Sequence, residues 1–334
     1  MIQIYEHYNL STLNTFRDNY TARYFIKSDS PEAIAKFLTQ HTGLPYLIIG
    51  SGSNLLFTQD FNGIIIAPDF TERQIILEDE KMILFQAGAS LNFDEIVAYT
   101  VNKDWGGLEN LSLIPGTVGA APVQNIGAYG VEAKNCIFQV TAYDLLNQEE
   151  KTFSPEECHF GYRNSFFKEN PGQFLVTAVT FLLTKNKHNY HTDYGNLKEK
   201  LGSKPLTLKR IRETVIDIRR NKLPDPNLYP NAGSFFKNPV VPNSVFQTLL
   251  HNYPNLPHFE MARNYKIPAA WLIDQCGFKD IKYKRAGVFH NQPLVICKFS
   301  DETTGKEIAE FSHKIQETVY EKFNIHLEPE VLIF

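Results

Sequence analysis

A serine in the segment NAGSFFKNP, residues 231–239, has neighbours that suit a proton donor. Ser234 follows Gly233, which permits a sharp turn, and precedes two phenylalanines, while Lys237 and Asn238 add an ammonium and an amide. A hydroxyl held among apolar side chains can deliver a proton where water does not compete. The same pattern also suits a loop serine that caps the backbone beside core residues. The segment alone leaves both interpretations open.

Two further segments carry charged groups that could act beside such a hydroxyl. Arg163 stands among aromatic residues in FGYRNSFFK, and its planar guanidinium matches a carboxylate. Stacking of this arginine on surface aromatics is an equal alternative. In LEPEV, Glu328 and Glu330 flank Pro329, so we expect only one of these carboxylates to point into a site. For each glutamate, a solvated carboxylate is the simpler interpretation.

GSGSN, residues 50–54, follows a predicted strand. Its glycines allow positive φ angles, so that successive backbone N–H groups can form a nest for an anion such as a pyrophosphate. A dinucleotide fingerprint would require a third glycine where Leu55 stands, so the Rossmann pattern is excluded. A tight turn without a ligand is the simpler interpretation of this segment.

The segment IPGTVGAAPVQNIGAYGVE, residues 114–132, combines four glycines and three alanines with amide side chains. Small residues let a backbone approach a flat ligand closely, and amides can satisfy ring heteroatoms, which suggests a flavin. The alternative is a long irregular loop packed on itself. From the two segments, the candidate cofactor-binding residues are Gly50, Ser51, Gly52, Ser53, Asn54, Pro115, Gly116, Thr117, Gly119, Ala120, Gln124, Asn125, Gly127, Ala128 and Tyr129.

Hydrophobic periodicity predicts the elements that position these segments. In SPEAIAKFLTQH, Ser30 is expected to cap a short helix that has Pro31 at its first position. Another helix is expected near residues 92–102. Strands are expected in LPYLIIG, GIIIA, IILE, MILFQAGA, FQVTAYDLL and FLVTAVTFLL. The pattern is typical of an α+β fold.

Two longer helices and a domain division are also expected. LKRIRETVIDIRRNK, residues 208–222, has apolar residues at helical spacing and ends before Pro224 and Pro226. An amphipathic helix is expected at about residues 301–323, and a closing strand in IHLEPEVLIF. The predicted domains are residues 1–66, 67–222 and 223–334.

Composition narrows the classes of function. The 334-residue chain has a net charge of −4 and a pI near 6.2, so no basic field attracts nucleic acid. The basic run at residues 209–222 is interrupted by Glu213 and Asp217, which indicates a solvated helix face. Nucleic acid is therefore not an expected partner.

Cysteine spacing and the N-terminus bear on metals and location. The four cysteines lack CxxC pairing, which argues against a structural zinc site and a disulfide framework, and no metal is predicted. The N-terminus lacks the basic and apolar regions of a signal peptide, and no run of about 18 apolar residues occurs. We expect a cytoplasmic protein with no membrane partner.

Taken in order, the motifs resemble those of the UDP-N-acetylmuramate dehydrogenases, also called UDP-N-acetylenolpyruvoylglucosamine reductases. The resemblance runs from LNTF through GSGSNLLF, the glycine-rich segment, FGYRNSFFK, KLPDP, NAGSFFKNP and AAWLIDQCGFK to LEPEV. It implies a FAD-binding fold of the vanillyl-alcohol-oxidase type, with two α+β subdomains, and a C-terminal α+β substrate domain. YGNL resembles the loop that closes over substrate in the first type of this family. A monomer is expected.

The resemblance also implies a reaction. In the family, NADPH reduces FAD, and flavin N5 passes hydride to C3 of the enolpyruvyl group of UDP-N-acetylglucosamine enolpyruvate. By similarity, Arg163 and Glu330 stabilise the enolate and Ser234 gives a proton to C2. The residues that match the family's substrate contacts, together with an arginine able to reach a phosphate, are Tyr194, Arg219, Lys222, Asn238, Lys279 and Gln292.

Three positions depart from the family pattern, and two other functions stay open. Ala270 stands where glycine is common, Asp280 where glycine often follows Lys279, and Lys298 where asparagine is usual. One alternative is another FAD oxidase or dehydrogenase of the same fold. The other is a flavin or UDP-sugar sensor without turnover, which would need binding residues but no proton donor.

Overall fold

The computed structural model describes residues 1–279 and 281–334 of the chain. The helices of this described part are α1 (Pro31–Gln40), α2 (Phe93–Asn102), α3 (Ala120–Gln124), α4 (Phe166–Glu169), α5 (Leu197–Leu201), α6 (Leu208–Lys222), α7 (Asn243–Asn252), α8 (Ala269–Gln275) and α9 (Gly305–Phe323). Two 3₁₀ turns lie at Glu109–Leu111 and Ala133–Asn135.

The strands of the described part come in short and long pieces along the whole chain. They are β1 (Gln3–Asn9), β2 (Thr21–Ser28), β3 (Tyr46–Ile48), β4 (Leu55–Leu56), β5 (Phe61–Pro68), β6 (Arg73–Glu78), β7 (Met82–Gly88), β8 (Gly127–Ala128), β9 (Val131–Glu132), β10 (Ile137–Asp144), β11 (Glu149–Phe153), β12 (Phe174–Thr184), β13 (Asn231–Ser234), β14 (Val240–Pro242), β15 (Phe259–Glu260), β16 (Asn264–Lys266), β17 (Lys282–Tyr283), β18 (Ala286–Phe289), β19 (Gln292–Lys298) and β20 (Leu332–Ile333).

Internal contacts divide the chain into two compact units. Unit 1 consists of Met1–Tyr8, Ala22–Ser51 and Asn62–Arg219. Unit 2 consists of Asn9–Thr21, Gly52–Phe61 and Arg220–Phe334. Each unit therefore combines segments that are far apart in sequence, and the division into three domains stays a prediction.

Unit 1 contains two sheets of more than two strands. The smaller sheet has the order β1-β2-β5-β3. Helix α1 packs on this sheet and contributes the buried Ile34 and Phe37 to their common core. The larger sheet has the order β11-β10-β12-β7-β6 and is antiparallel throughout. Its inner face packs on α2, which buries Phe93, Ile96 and Val97. This larger sheet and its core support the glycine-rich segment.

Unit 2 contains a sheet of order β13-β19-β18-β17, a second of order β14-β16-β15, and the parallel pair β20-β4. Helix α9 packs its apolar face into the core of this unit. All five predicted inward residues are buried, namely Ile308, Phe311, Ile315, Val319 and Phe323. The prediction of this amphipathic helix is thereby confirmed.

Several local predictions are confirmed at the level of single residues. Ser30 caps α1, where its side chain accepts a hydrogen bond from the backbone N–H of Ala33, and Pro31 is the first helical residue. The helix predicted at residues 208–222 is α6, and the one near residues 92–102 is α2. These elements follow from short-range spacing and capping.

One predicted strand is shorter than expected, and one segment contains a helix that was not predicted. The predicted strand IHLEPEVLIF is reduced to β20, because Pro329 has no N–H to give to a ladder and forms only an isolated bridge with Phe236. Within residues 114–132, where no helix was predicted, the glycine-rich segment contains helix α3, in which Pro122 stands at the third position. A proline is tolerated there because the first turn of a helix has no partners for its N–H groups.

Candidate functional site

In unit 1, the first residue of the GSGSN turn lies against the glycine-rich segment 114–132. A Cβ atom added to Gly50 would stand 2.7 Å from Oγ1 of Thr117, so only glycine permits this approach. Gly50 and the adjacent Ser51 are exposed, and Thr117 is half-buried. Gly50 and Ser51 therefore lie beside the glycine-rich segment at the surface of unit 1.

The glycine-rich segment is held on the larger sheet of unit 1. The N–H groups of Val118 and Gly119 donate to the carbonyl oxygens of Leu91 and Ala89, both at 2.9 Å. A Cβ on Gly119 would stand 2.7 Å from the Cβ of Ala89. This close packing fixes the start of α3, which begins at Ala120.

The amides of this segment differ in their roles. Asn125 is fully buried in the left-handed region at φ 41°, and its Nδ2 donates to the Gly161 carbonyl oxygen at 2.8 Å. Its side chain therefore ties the segment to the loop that carries Arg163. Gln124 is half-buried, and its Oε1 accepts a 2.8 Å hydrogen bond from Nζ of Lys168. Direct contact of either amide with a flavin stays a prediction.

Arg163 lies beside the glycine-rich segment, and its role in catalysis stays a prediction. Its NH2 donates to the Gly127 carbonyl oxygen at 2.9 Å, and its guanidinium carbon lies 5.5 Å from the centre of the Tyr162 ring. The backbone of Arg163 is in the left-handed region at φ 53°, which is uncommon for arginine. Gly161 and Asn164 exchange backbone hydrogen bonds around it, so a tight turn holds the guanidinium in this place.

Tyr129, Tyr194 and Arg219 form a second group in unit 1. The rings of Tyr129 and Tyr194 meet at 6.5 Å with an angle of 84°. Burial raises the pKa of the Tyr129 phenol and lowers that of the Arg219 guanidinium. In the part of the chain that the structure describes, Nε of Arg219 is buried without a hydrogen-bond partner. A buried N–H donor of this kind suits an oxygen atom of a ligand.

A partly buried ion pair supports this group, and sequence reasoning missed it. Asp94 accepts hydrogen bonds from both terminal nitrogens of Arg212, at 2.6 and 3.0 Å, and from the Leu113 backbone N–H at 2.6 Å. Burial alone would raise the pKa of Asp94, but these donors outweigh it and lower the pKa. The pair joins α2 to α6, the helix that carries Arg219. Neither residue has a local sequence signal that could have revealed the pairing.

In unit 2, Ser234 ends strand β13 and is half-buried. Gly233 has φ 72°, and its N–H donates to Oδ1 of Asn231 at 2.8 Å. The register of β13 against β19 shifts between Asn231 and Ser234, which is the geometry of a bulge. Phe235 and Phe236 are buried in the core of this unit, so they anchor the strand that carries the serine.

Glu330 and Asn54 are neighbours in unit 2. Nδ2 of Asn54 donates to the Glu330 carbonyl oxygen at 3.0 Å, and Asn54 was predicted as a cofactor contact. Close to it, Gly52 has φ 67°, and a Cβ there would overlap the Leu13 carbonyl oxygen. Ser53, between them, is half-buried. The second half of the turn thus supports the segment that carries Glu330.

The remaining predicted substrate residues of unit 2 fall into two groups. Asn238 is half-buried and its Oδ1 accepts a hydrogen bond from the Ala269 N–H at 2.9 Å, while Gln292 is buried at the start of β19. Lys222 and Lys279 are exposed. The exposed ammonium groups suit a phosphate, and the less exposed amides suit neutral groups of a sugar or base.

Two of the three departures from the family pattern can be described. Lys298 is buried and its Nζ lies 2.6 Å from Oδ1 of Asp18, so a charge at this position has a buried partner. Ala270 is partly buried and packs against the core of unit 2. Asp280 lies outside the described residues.

Metal and thiol chemistry find no support in the described part of the chain. No group of three or more His, Cys, Asp or Glu side chains is arranged there to hold a metal ion. Burial raises the pKa of Cys136, Cys158 and Cys297 to about 12, so these thiols stay protonated. Among the helices described, none is long and apolar enough to cross a membrane.

The residues of unit 1 fit a flavin in three respects. Because Gly50 and Gly119 have no Cβ atom, their backbones pack closely against Thr117 and Ala89. Gly116, at φ 127°, adds a turn that only glycine adopts easily. Ala120, Gly127 and Ala128 are half-buried and have at most a methyl side chain, so no bulky group projects from the backbone there. Pro115 is exposed. The buried Nε of Arg219 offers an unused donor.

Comparisons with known proteins match the chain along nearly its whole length. A family model for a FAD binding domain matches residues 22–153, and one for the C-terminal domain of UDP-N-acetylenolpyruvoylglucosamine reductase matches residues 225–334. The chain is 40% identical to the UDP-N-acetylenolpyruvoylglucosamine reductase of Flavobacterium johnsoniae over 99% of both chains. It is 43% identical to that of Amoebophilus asiaticus, again over 99% of both.

A solved structure shares the fold. The crystal structure of UDP-N-acetylenolpyruvylglucosamine reductase from Thermus caldophilus superposes with a TM-score of 0.69 and 22% identity, covering 100% of this chain and 99% of that one. The fold and the matched domains define a flavin-dependent oxidoreductase of the α+β class, with FAD as its cofactor. Full-length identity of this degree places the chain more narrowly. It belongs to the UDP-N-acetylenolpyruvoylglucosamine reductase family.

Proposed function

We propose that this protein reduces UDP-N-acetylglucosamine enolpyruvate to UDP-N-acetylmuramate, a precursor of peptidoglycan, with NADPH as the reductant. The observation that carries the proposal is the 40% identity to a reductase of this name over 99% of both chains. Bound FAD, reduced by NADPH, would supply the hydride that reaches C3 of the enolpyruvyl group. The rest of the reaction falls to residues of this chain.

Arg163 and Glu330 are proposed to stabilise charge. Hydride addition at C3 pushes negative charge toward C2 and the attached carboxylate, so a donor fixed before the reaction lowers the barrier. The turn formed by Gly161 and Asn164 and the bond to the Gly127 carbonyl hold the Arg163 guanidinium in place, so it does not have to reorganise. Glu330 is fixed through its backbone by Asn54.

Ser234 is proposed to give a proton to C2. A serine hydroxyl is a weak acid, but a carbanion-like carbon is a strong base, and a fixed position replaces the need for a low pKa. Gly233, at φ 72°, turns the chain at this point, and the two buried phenylalanines after the serine anchor it. The overall change is one hydride to C3 and one proton to C2, which completes the reduction of the double bond.

The sugar nucleotide and the flavin are proposed to be held by the residues that the family motifs match. For the nucleotide sugar these are Tyr194, Arg219, Lys222, Asn238, Lys279 and Gln292. For FAD they are the two glycine-rich segments, residues 50–54 and 115–129. Since NADPH and nucleotide sugars do not cross membranes, we also propose that the protein acts in the cytoplasm, and that it does so as a monomer.

One spectroscopic experiment tests the proposal. The purified protein should show the absorbance of bound flavin, which anaerobic NADPH should bleach and UDP-N-acetylglucosamine enolpyruvate should restore. UDP-N-acetylglucosamine, which lacks the double bond, is the matched control and should leave the flavin reduced. A preparation that holds no flavin, or reduced flavin that the enolpyruvyl compound does not reoxidise, would contradict the proposed reaction.

A further inference from the structure

The segment that carries Tyr194, residues 185–196, is attached to unit 1 at both ends, and we call it the Tyr194 loop. At its start, Nδ2 of Asn186 donates to the Glu80 carbonyl oxygen at 2.7 Å. At its end, Leu197 and Leu201 of α5 are buried in a cluster with α6. The middle of the loop therefore needs a support of its own if Tyr194 is to have a fixed position.

Asn110 supplies that support. Its Nδ2 donates to the His191 carbonyl oxygen at 2.7 Å and to the Tyr129 carbonyl oxygen at 2.8 Å. Asn110 is only 1% exposed, so both bonds are shielded from water. One buried amide thus joins the Tyr194 loop, three residues before Tyr194, to the predicted flavin segment at Tyr129.

The 3₁₀ turn that carries Asn110 is itself well fixed. The carboxylate of Glu109 accepts a hydrogen bond from the Gly107 N–H at 2.7 Å, and the Glu109 carbonyl oxygen accepts one from Oγ of Ser112 at 2.6 Å. Sγ of Cys136 donates to the Gly107 carbonyl oxygen at 2.9 Å. The amide of Asn110 is therefore a stationary point to which the loop is attached.

Packing holds only part of the middle of the loop, because Tyr190 lies against two apolar clusters of unit 1 while its neighbours border a cavity. A cavity of about 140 Å³ is lined by His188, Asn189 and His191 of the loop together with residues of the sheet. Segments that border empty space have lost packing partners on that side. Oδ1 of Asn110 is buried and has no hydrogen-bond partner among the described residues, so what this side chain contributes is its two N–H donors.

The attachment sets the geometry between two tyrosines. Tyr129 and Tyr194 meet edge to face at 6.5 Å, and a Cβ on Gly130 would lie 3.3 Å from the Cβ of Tyr194. A shift of the loop by about one ångström would break this arrangement, because the amide bonds to both carbonyl oxygens have little tolerance in length.

We propose that Asn110 is a positioning residue for substrate binding, because its amide holds the Tyr194 loop against the Tyr129 segment. The inference rests on the proposed function, in which Tyr194 contacts the nucleotide sugar. Without the two N–H donors, a smaller fraction of the molecules has the Tyr194 loop in the conformation that binds substrate. The apparent affinity for substrate falls in proportion to that fraction.

The first test measures binding to the oxidised, FAD-loaded protein by calorimetry. Asn110→Asp keeps the shape but turns two donors into acceptors that face carbonyl oxygens, and we expect the Kd for UDP-N-acetylglucosamine enolpyruvate to rise about tenfold or more. Asn110→Ala is the second variant and should raise Kd about fivefold. Flavin absorbance and the Tm show that each variant is folded.

Asn186→Asp is the matched control. It removes an amide-to-carbonyl bond of the same kind from the start of the same loop, and Kd should stay within about twofold. Hydrogen exchange without substrate adds a readout that does not depend on the reaction. Backbone amides of residues 189–196 should exchange about tenfold faster in Asn110→Asp than in the unchanged protein.

A double-mutant cycle tests whether Asn110 acts through Tyr194. In a Tyr194→Ala protein, the further change Asn110→Asp should alter Kd by less than about twofold, since the contact that it positions is already gone. A full tenfold effect in that background, or unchanged Kd in both Asn110 variants while the unchanged protein binds and turns over substrate, overturns the inference. Failure of the unchanged protein to turn over substrate overturns the proposed function instead.

Discussion

The backbone N–H of Glu330 donates a 2.8 Å hydrogen bond to the carbonyl oxygen of Phe235, the residue that follows Ser234. The Lys237 N–H donates to the Glu328 carbonyl oxygen at 2.9 Å, and the two side chains form an ion pair. Ser234 and Glu330 therefore lie on paired segments of unit 2, and Glu328 is the glutamate turned to solvent. This pairing fixes the spacing of the two candidate groups.

Replacing the serine tests its role as proton donor. In Ser234→Ala we expect reduction of the flavin by NADPH at a rate within about twofold of normal, because that step requires no proton at C2. Reoxidation of the flavin by the enolpyruvyl compound should slow by about 100-fold or more. Stopped-flow absorbance measures both steps in one preparation.

The exposed Ser244 gives the control for that experiment, since Ser244→Ala should leave both rates unchanged. If Ser234→Ala forms product at the normal rate, Ser234 is not the donor. The same result would mean that another group, or water, gives the proton to C2.

Replacement by alanine should destabilise the protein more at Gly52, in the GSGSN turn, than at Gly43, in a more open loop. Gly52→Ala places a Cβ on the Leu13 carbonyl oxygen at a backbone φ of 67°, so we expect a loss of about 2 kcal/mol or more in the free energy of unfolding. Gly43 also has a positive φ, 91°, but no atom lies within 4 Å of an added Cβ. Gly43→Ala should therefore cost only about 1 kcal/mol, from the backbone conformation.

Urea unfolding of the two alanine proteins, followed by circular dichroism, measures that difference. Equal losses would show that the Leu13 backbone moves aside without cost. Flavin content provides a second comparison, because Gly52 belongs to a predicted cofactor segment and Gly43 does not.

The buried pair of Lys298 and Asp18 should respond strongly when one partner is removed. Burial raises the pKa of Asp18, while Lys298 and the Gly305 N–H oppose that rise. Lys298→Met leaves the carboxylate buried without its ammonium, so we expect a loss of about 3–5 kcal/mol at neutral pH. The double variant Lys298→Met with Asp18→Leu should recover most of that loss.

The stability of the Lys298→Met protein should also change with pH in a defined direction. In Lys298→Met the folded-state pKa of Asp18 lies above its unfolded value, so stability should be lost as pH rises through that interval. The single variant should thus be more stable at pH 4 than at pH 8. Thermal unfolding at the two pH values measures this, and a loss that does not change with pH would contradict the account.

Asp144 should show the opposite behaviour. Burial alone would raise its pKa, but hydrogen bonds from Asn147, Leu146 and Lys151 outweigh burial and lower the pKa to about 2. The stability from this carboxylate is present above about pH 4 and is lost as pH falls through about 2. Asp144→Asn should remove that part of the acid dependence, as measured by acid titration of the unfolding free energy. An unchanged acid profile would contradict the assignment.

Local patterns were sufficient for several of the elements. The cap Ser30, the helix at residues 208–222 and the buried face of α9 follow from short-range spacing, and the structure confirms them. Where an isolated pattern failed, as in the predicted closing strand, one residue such as Pro329 removed the hydrogen bond that a strand needs.

By itself, the sequence determined the class of fold, the family and the segments that could bind FAD, because these depend on residue types in fixed order. Only the tertiary structure decided which polar groups are bonded to one another: Asn110 with the carbonyl oxygens of Tyr129 and His191, and Asp18 with Lys298. Such partners lie up to 280 residues apart in the chain. They have no periodicity, and the pairing results from burial, which forces each polar group to find whichever partner the fold brings near.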